Sequence, residues 1–365
     1  MTLADIAITL IPKLGSRGCR KLIDTYGSAE AVYATPYERL IAEVELQPDI
    51  AKDIAQGVGL REAEAEIRHL ARHNIKAIAA TDAEYPQQLF AVCDRPHVLY
   101  LMGDEQTLRS PHKISVVGTR RVSRYGEVAC TRLIKELGEM FPDLVVFSGL
   151  AFGADSVAHR AAISTNVRTV AIVPTTLPDI VPTTHAALAR GIVESGGALL
   201  SEMNTLVKHN GKAYIPRNRI VASISDGVFV VESAIDGGTL STVRCADSYG
   251  YPVMALPGRI TDPMSEGTNH IIKSGVAQLI TSATDIAECL GWQPTPSAKV
   301  FECEVQECSP REMMILDCFA DGGAYTTDEI ALRCNISTSE ASAMLLELEL
   351  SGVVHQCAGN KYEKM

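Results

Sequence analysis

Residues 114–126, ISVVGTRRVSRYG, combine a turn glycine with three arginines, and together these residues could hold an anion. Ile114–Val117 predicts a short buried strand, Gly118 predicts the turn that ends it, and a helix is expected to follow. A strand, a glycine turn and a helix open nucleotide-binding units. Thr119 could cap the helix or donate to a phosphate, and Arg120 offers a planar fork for a bidentate phosphate contact. The alternative is a surface loop with solvated arginines.

Three more stretches rich in glycine or arginine follow predicted strands: FSGLAFGADSVAHRAA at 147–162, IPRNRIVA at 215–222 and VVESAIDGGTLSTVRCA at 230–246. Glycines at helix starts leave free amide donors that can meet phosphates. Residues 113–126 and 203–225 carry four bases each and no acid. Four such loops on one sheet predict an extended anionic ligand rather than a single phosphate.

The candidate contacts for this ligand lie in these loops and in the basic segment 203–225. They are Gly118, Thr119, Arg120, Ser148, Gly149, Phe152, Gly153, Lys212, Arg217, Asn218, Arg219, Gly237, Gly238, Thr239 and Thr242. Phe152 either stacks an unpaired base beside a basic groove or packs in the core. Asp155 and His159 lie four residues apart on one helix face, where they could form an acid–base pair. Buried structural hydrogen bonding is the favoured interpretation because no nucleophile accompanies them.

The chain offers no pattern for a cofactor or a metal. Neither G-x-G-x-x-G nor G-x-x-x-x-G-K-[ST] occurs, so we expect neither a dinucleotide nor a P-loop nucleotide. The ten cysteines form no CxxC pair, which favours free thiols in the cytoplasm over a zinc site. The N-terminal stretch lacks a basic region followed by a cleavage site, and no apolar run approaches the length of a membrane helix. We therefore expect a cytoplasmic protein.

The net charge of −11 argues against a nucleic-acid partner at first, but the charge is unevenly distributed. Residues 301–365 hold twelve acids and four bases, a net of −8, so the other 300 residues carry only −3. Local basic surface, rather than the total, decides whether an anion binds. With 365 residues, the chain has the length of two or three domains.

The central residues 74–290 alternate short strands with helices, which predicts a mostly parallel, doubly wound α/β sheet of Rossmann-like type. Ligands on such sheets sit at the carboxyl ends of the strands. The predicted strands are Ile75–Ala80, Val98–Met102, Ile114–Val117, Leu144–Phe147, Thr169–Val173, Val228–Val231, Pro252–Ala255 and Ala277–Ile280. The predicted helices include Arg124–Glu139, Ser156–Ile163, Pro182–Glu194, Thr239–Tyr249 and Asn269–Ser274.

Two smaller domains are predicted to flank the sheet. Residues 1–73 predict an all-α domain in which Gly15 and Gly18 would form a helix–hairpin–helix turn, or a plain packing unit. Residues 291–308 predict a linker, and 309–365 predict a winged helix with capped helices. The expected recognition helix, Ser339–Leu350, carries three glutamates and no base, so repulsion from phosphate argues against duplex binding.

The motifs YPQQL, CDRPHVLYLMGD, VVGTR, SGLAFGADSVAH, IPRNRIVA and GGTLST occur in order between about Tyr85 and Leu290. This set closely resembles the DprA/Smf family of DNA-processing proteins. The resemblance implies a Rossmann-like domain that binds single-stranded DNA and forms a homodimer. It also implies protection of incoming strands during natural transformation, loading of the RecA recombinase and no catalytic reaction.

The resemblance carries over to particular residues. Arg120 matches the basic residue of the family's glycine–Ser/Thr–Arg turn, which contacts DNA. Phe152 stands where many relatives have Lys or Arg, so one phosphate contact is expected to be missing. Ala154 replaces a usual Ile, and DGGTLST stands where relatives show SGSLIT.

Two alternatives stay open. Nucleotide phosphoribohydrolases share a related fold and carry a PGGxGTxxE loop, but the analogous DGGTLSTVR lacks the catalytic carboxylate, and Glu232 precedes the loop instead. An adaptor role for the acidic C-terminal domain, which would recruit a protein partner, is compatible with DNA binding by the central domain.

Overall fold

The computed structural model describes residues 1–206, 214–293, 310–319, 323–350, 354–357 and 361–364. The chain divides into two compact units, Met1–Thr295 and Pro296–Met365. This division falls within the predicted linker, of which residues 294–308 lie outside the described part. The larger unit contains both the N-terminal helices and the central sheet, and the domain boundary at residue 73 stays a prediction.

A nine-stranded sheet forms the centre of the larger unit, with the order β1-β2-β6-β5-β4-β3-β7-β8-β9. All pairings from β6 to β9 are parallel, whereas β1 and β2 add antiparallel to one edge. The mostly parallel, doubly wound sheet is thus confirmed. The strands are β1 Lys76–Ala79, β2 Val98–Gly103, β3 Lys113–Val117, β4 Val145–Ser148, β5 Arg168–Ile172, β6 Ala198–Ser201, β7 Gly227–Val230, β8 Val253–Ala255 and β9 Gln278–Leu279.

The central strands are apolar on both faces because helices cover both sides of the sheet. Successive residues of β7 show this: Val228 and Val230 belong to one core layer, and Phe229 belongs to the opposite one. The order of strands reverses between β3 and β7, since β4, β5 and β6 follow on one side and β8 and β9 on the other. A reversal of this kind opens a crevice at the carboxyl ends of the two strands.

Helices of the sheet region follow their predicted places with one correction, and one strand of the sheet was missed. The segment Pro182–Glu194 is α-helical only from Ala186, because Thr183–His185 forms a short 3₁₀ turn. Strand β6 was not predicted: its sequence, ALLS, lacks the β-branched and aromatic residues that mark strands. The helices are α7 Arg124–Met140, α8 Ala154–Ser164, α9 Ala186–Glu194, α10 Tyr214–Ser223, α11 Thr239–Ser248, α12 Glu266–Lys273 and α13 Ala283–Cys289.

The N-terminal helices have a core of their own, and α1 and α6 also pack towards the sheet edge. His97, just before β2, hydrogen-bonds Asp5 of α1 at 2.9 Å within this contact. Gly18 lies inside α2, so a turn that runs from Gly15 to Gly18 is wrong. The helices are α1 Leu3–Thr9, α2 Gly15–Tyr26, α3 Ala29–Ala34, α4 Tyr37–Val44, α5 Pro48–Ala55 and α6 Leu60–Arg72.

The smaller unit has the three helices and the antiparallel sheet of a winged helix, as predicted. Its helices are α14 Pro310–Asp317, α15 Thr327–Cys334 and α16 Thr338–Leu350, and its strands are β10 Tyr325–Thr326, β11 Val354–Cys357 and β12 Lys361–Lys364. β12 pairs with both other strands. Over the described ranges of the chain, no helix is long and apolar enough to span a bilayer.

Candidate nucleic-acid interface

An open cleft of about 690 Å³ lies at the carboxyl ends of β3, β4 and β7. Its walls are the turn 118–121 after β3, the loop 149–155 after β4, the segment 234–244 after β7 and the first half of α10. It therefore occupies the crevice where the strand order reverses. Most of the predicted contact residues meet here, although their roles differ.

The turn after β3 presents two arginines to solvent. Both Arg120 and Arg121 are exposed and line the cleft. The turn is fixed from below: the amide of Thr119 donates to the carbonyl of Glu232 at 2.7 Å, and the Thr119 hydroxyl accepts from the amide of Arg121 at 3.2 Å. Gly118 is required because a Cβ there would lie 2.6 Å from the Cβ of Ala154.

The carboxylate of Glu232 points away from the cleft, to the start of α7. It accepts hydrogen bonds from the amide and the hydroxyl of Ser123 at 2.7 and 2.5 Å, and it is 1% exposed. Ser123 in turn caps α7 by accepting from the amide of Gly126. Glu232 thus anchors the turn and the helix, and it does not stand where a catalytic carboxylate would face a bound nucleotide.

The loop after β4 crosses directly over the turn after β3. Gly153 has φ +75°, and a Cβ there would lie 2.2 Å from the carbonyl oxygen of Thr119. The amide of Ala154 donates to that same oxygen at 3.1 Å. The two loops are therefore held in contact, and glycine at position 153 makes their approach possible.

Phe152 lies on the surface beside the cleft rather than in the core. Its side chain is 48% exposed and meets the ring of His185 edge-on, with centroids 4.7 Å apart. The core alternative for Phe152 is thereby wrong. An exposed ring at the tip of a loop that joins the arginine turn can stack a base.

Helix α10 supplies the floor of the cleft. Arg217 lines it but is only 4% exposed, because its guanidinium donates to the carbonyls of Gly149 and Ile172. Burial lowers the pKa of Arg217. Its main role is to position the loop after β4, rather than to reach a ligand. Asn218 donates to the Ser241 hydroxyl at 2.9 Å and so joins α10 to α11.

Two predicted contact residues have polar groups that are buried and already paired within the protein. The Ser148 hydroxyl is fully buried and donates to the carbonyl of Val116 at 2.6 Å. Arg219 is 8% exposed and forms a two-pronged ion pair with Glu202, with N–O distances of 2.8 and 2.6 Å. Lys212 lies outside the described residues.

The segment after β7 lines the remaining wall. Gly238 directly precedes α11, which starts at Thr239 as predicted, and the amides of Leu240 and Ser241 donate to the carbonyls of Gly237 and Gly238 at 3.0 and 3.1 Å. Gly237, Gly238 and Thr239 line the cleft, and the buried Thr242 lies one turn further along. This wall also contributes an acid, the exposed Asp236.

Asp155 and His159 do not form a pair. The Asp155 carboxylate accepts from the amide of Ala151 at 3.2 Å, whereas the His159 ring contacts the Thr169 hydroxyl at 2.7 Å. Burial lowers the pKa of His159 to about 3, and burial raises the pKa of Asp155 against the opposing charge of Arg217. Both side chains hold buried structure, in line with the favoured interpretation.

Among the cleft residues that were absent from the sequence-based set are two arginines and one aromatic residue: Arg121, Arg244 and Tyr214. Arg121 adjoins Arg120, and Arg244 follows the Gly238–Thr239 start of α11 by about a turn and a half, so both lay within the motifs. Among the described residues of the lining, four are arginines and two are aspartates. Exposed Arg120, Arg121 and Arg244 form no ion pair with any residue in the described ranges. The lining therefore favours an anion.

No group of three or more histidine, cysteine or acidic side chains among the described residues could hold a metal ion. The lining offers amides, hydroxyls, guanidinium groups and the Tyr214 ring. These groups bind phosphates and unpaired bases.

Comparisons with known proteins agree with this geometry. The family model described as DNA recombination-mediator protein A matches residues 76–291, and a DprA winged-helix model matches 306–360. Protein Smf of Escherichia coli is 34% identical over 91% of this chain and 92% of its own length. The DNA processing protein A structure from Streptococcus pneumoniae superposes with a TM-score of 0.62 at 27% identity, over 79% of this chain and 98% of that one.

A second solved structure concerns the single-stranded DNA binding mode of DNA processing protein A from Helicobacter pylori. It superposes with a TM-score of 0.53 at 28% identity, over 60% of this chain and 97% of that one. The matched family model covers more than half of the chain and includes every wall of the cleft. The chain belongs to the DprA/Smf family of DNA recombination-mediator proteins.

Proposed function

We propose that the protein binds single-stranded DNA in the cleft at the carboxyl ends of β3, β4 and β7. The observation that carries this proposal is the group of three exposed arginines, Arg120, Arg121 and Arg244, on two walls of one cleft with no ion pair in the described ranges. Guanidinium groups contact phosphates along a backbone, and this contact depends on salt but tolerates any sequence.

Single-stranded rather than duplex DNA is the proposed ligand because two aromatic rings, one half-buried and one exposed, lie beside these arginines. Tyr214 lines the cleft, and Phe152 projects from the adjoining loop. Bases stack on such rings only when they are unpaired. The Helicobacter pylori relative, whose structure concerns its single-stranded DNA binding mode, supports the same ligand class.

In the cell, we propose a mediator role without catalysis. The protein would act as a homodimer in the cytoplasm, protect incoming single strands during natural transformation and load the RecA recombinase onto them. Family membership supports this role. The position of Glu232, held at the start of α7, gives no support to hydrolysis of a nucleotide in the cleft.

The winged helix is proposed to contact a protein rather than DNA. Its helix α16 contains Glu340, Glu347 and Glu349 and no base. A helix of this charge repels phosphate but suits a basic protein surface.

A titration with labelled oligonucleotides tests the binding proposal. The wild type should bind a single strand more tightly than a duplex, and raising the salt concentration should weaken binding. Arg120→Ala should lower affinity about tenfold, the loss of one charged contact. Arg124→Ala is the matched control, since Arg124 is exposed nearby but pairs with Glu127 at 3.0 Å. No binding at low salt, or equal losses in the two variants, would overturn the proposal.

A further inference from the structure

Two cysteine thiols of the smaller unit lie in direct contact. The Sγ atoms of Cys318 and Cys334 are 3.1 Å apart, although 16 residues separate them in sequence. Cys318 follows the end of α14, and Cys334 is the last residue of α15. Both are free thiols, and both Sγ atoms approach the carbonyl of Met314, at 3.6 and 3.4 Å.

This arrangement is close to that of a disulfide. The S–S bond is about 2.05 Å long, so closure needs a movement of about 1 Å. The backbone around the pair is already fixed, since Arg333 donates to the carbonyl of Cys318 at 3.2 Å and stacks on the Tyr325 ring at 3.7 Å. Among the described residues, the cysteines of the larger unit, such as Cys130, show no contact between two sulfur atoms.

We propose that Cys318 and Cys334 form a reversible disulfide that fastens α14 to α15 when the protein meets a peroxide. This inference is independent of the DNA-binding proposal. Cys318 is half-buried and reachable, whereas Cys334 is 8% exposed and stands behind it. The two residues therefore have different roles: Cys318 meets the oxidant, and Cys334 resolves the product.

The chemistry balances with hydrogen peroxide as the oxidant. The Cys318 thiolate attacks one peroxide oxygen, the O–O bond breaks, and the leaving hydroxide takes up the thiol's proton to give water and a sulfenic acid. The Cys334 sulfur then attacks the sulfenic sulfur, the S–O bond breaks, and the departing hydroxide takes the Cys334 proton as water. In total, two thiols and one peroxide give one disulfide and two waters, and a dithiol reductant reverses the change.

Closing this loop should stabilise the small unit, because a cross-link restricts its unfolded chain. Its core is small: the buried members include Ile315, Phe319, Ile330 and Leu345. For a unit of this size, the temperature at which α14 and α15 lose their protection from hydrogen exchange should rise by about 10 °C.

The test uses the full chain, reduced and then treated with peroxide, with free thiols blocked before non-reducing tryptic mapping. We expect a disulfide between peptides 312–333 and 334–361, with a loss of two hydrogens. Because Cys334 and Cys357 share the second peptide, the Cys357→Ser variant must retain the link. Cys334→Ser should instead leave Cys318 as a sulfenic acid that dimedone traps. Cys289→Ser removes a half-buried thiol of the larger unit and, as the control, should retain the link.

Three outcomes would overturn the proposal. They are peroxide oxidation of Cys318 to the sulfinic acid without a link, a link from Cys318 to any cysteine other than Cys334, and a disulfide that leaves the exchange midpoint of peptide 312–333 unchanged.

Discussion

The guanidinium of Arg120 lies over the ring of Tyr214, with 5.5 Å between its central carbon and the ring centroid. One residue belongs to the turn after β3 and the other begins α10, so the contact connects two walls of the cleft. A cation over an aromatic face is held by the ring's quadrupole. A nucleotide that enters here therefore meets a positive charge and an aromatic side chain that are in contact with each other.

The carboxylate of Asp236 should weaken DNA binding. It is exposed, and it is the one acid in the cleft wall 234–244 after β7. We expect Asp236→Asn to raise affinity for a single strand about threefold at low salt, and the gain should shrink as salt screens the charge. Asp247→Asn, an exposed acid of α11 away from the lining, is the control. Fluorescence anisotropy measures both variants, and the same change in each would contradict the assignment.

The ring of Phe152 should contribute by stacking. Phe152→Ala should weaken single-strand binding about fivefold or more, since base–aromatic stacking is worth about 1–3 kcal/mol. Phe152→Lys should recover affinity at low salt but make binding depend more steeply on salt, since a phosphate contact replaces stacking. Phe90→Ala removes a half-exposed ring outside the cleft and serves as control. Unchanged affinity in Phe152→Ala would exclude stacking.

Gly153 should be intolerant of any side chain. Gly153→Ala places a Cβ 2.2 Å from the Thr119 oxygen in a backbone with φ +75°. We therefore expect the free energy of unfolding to fall by at least about 1 kcal/mol. Affinity for a single strand should fall as well. Gly238→Ala is the matched control for stability alone, because open space surrounds a Cβ there. Denaturant titration compares the two. Equal stability would show that the loops do not need their close contact.

Buried His159 should make the protein less stable in mild acid. Burial lowers its pKa from an ordinary 6.5 to about 3, so the unfolded chain binds more protons than the folded one between these values. The free energy of unfolding should therefore fall as pH drops from 6.5 towards 4, by at most about 1.4 kcal/mol per pH unit from this group. His159→Gln should flatten that slope.

The control for the pH experiment is His270→Gln, which removes an exposed imidazole of α12. Chemical unfolding at a series of pH values gives the slope for each variant. If the free energy of unfolding of His159→Gln depends on pH as steeply as that of the wild type, the imidazole of His159 is not the neutral, buried group described here.

Removal of residues 305–365 should spare single-strand binding, because every described wall of the cleft lies before residue 245 or at Met264. The deletion removes most of the net negative charge, so association at low salt should be slightly faster. Its binding of a protein partner should be lost. If the truncated protein folds but no longer binds DNA, the assignment of the site to the larger unit is contradicted.

The sequence predicted the cleft because glycine turns and helix starts are local signals. Gly118, Gly153 and Thr239 each stand where a strand ends or a helix begins, and the sheet topology brings them together. The hydrogen-bond partner of a polar group, in contrast, depends on residues that are distant in sequence. Ser148 and Arg219 looked like their neighbours, but a carbonyl of β3 and the carboxylate of Glu202 take up their hydrogen bonds. Strand β6 was missed for a related reason, since its burial between β2 and β5 stabilises a sequence with weak strand propensity.

The most direct test of a single strand in this cleft is a photo-cross-linking map with an oligothymidine that carries 5-iodouracil, read out by mass spectrometry of the linked peptides. Aromatic side chains that stack on the base are the preferred partners. The account predicts links at Tyr214 and Phe152, which Arg120→Ala should reduce at limiting protein. Links confined to the N-terminal helices or to residues 310–364 would contradict it.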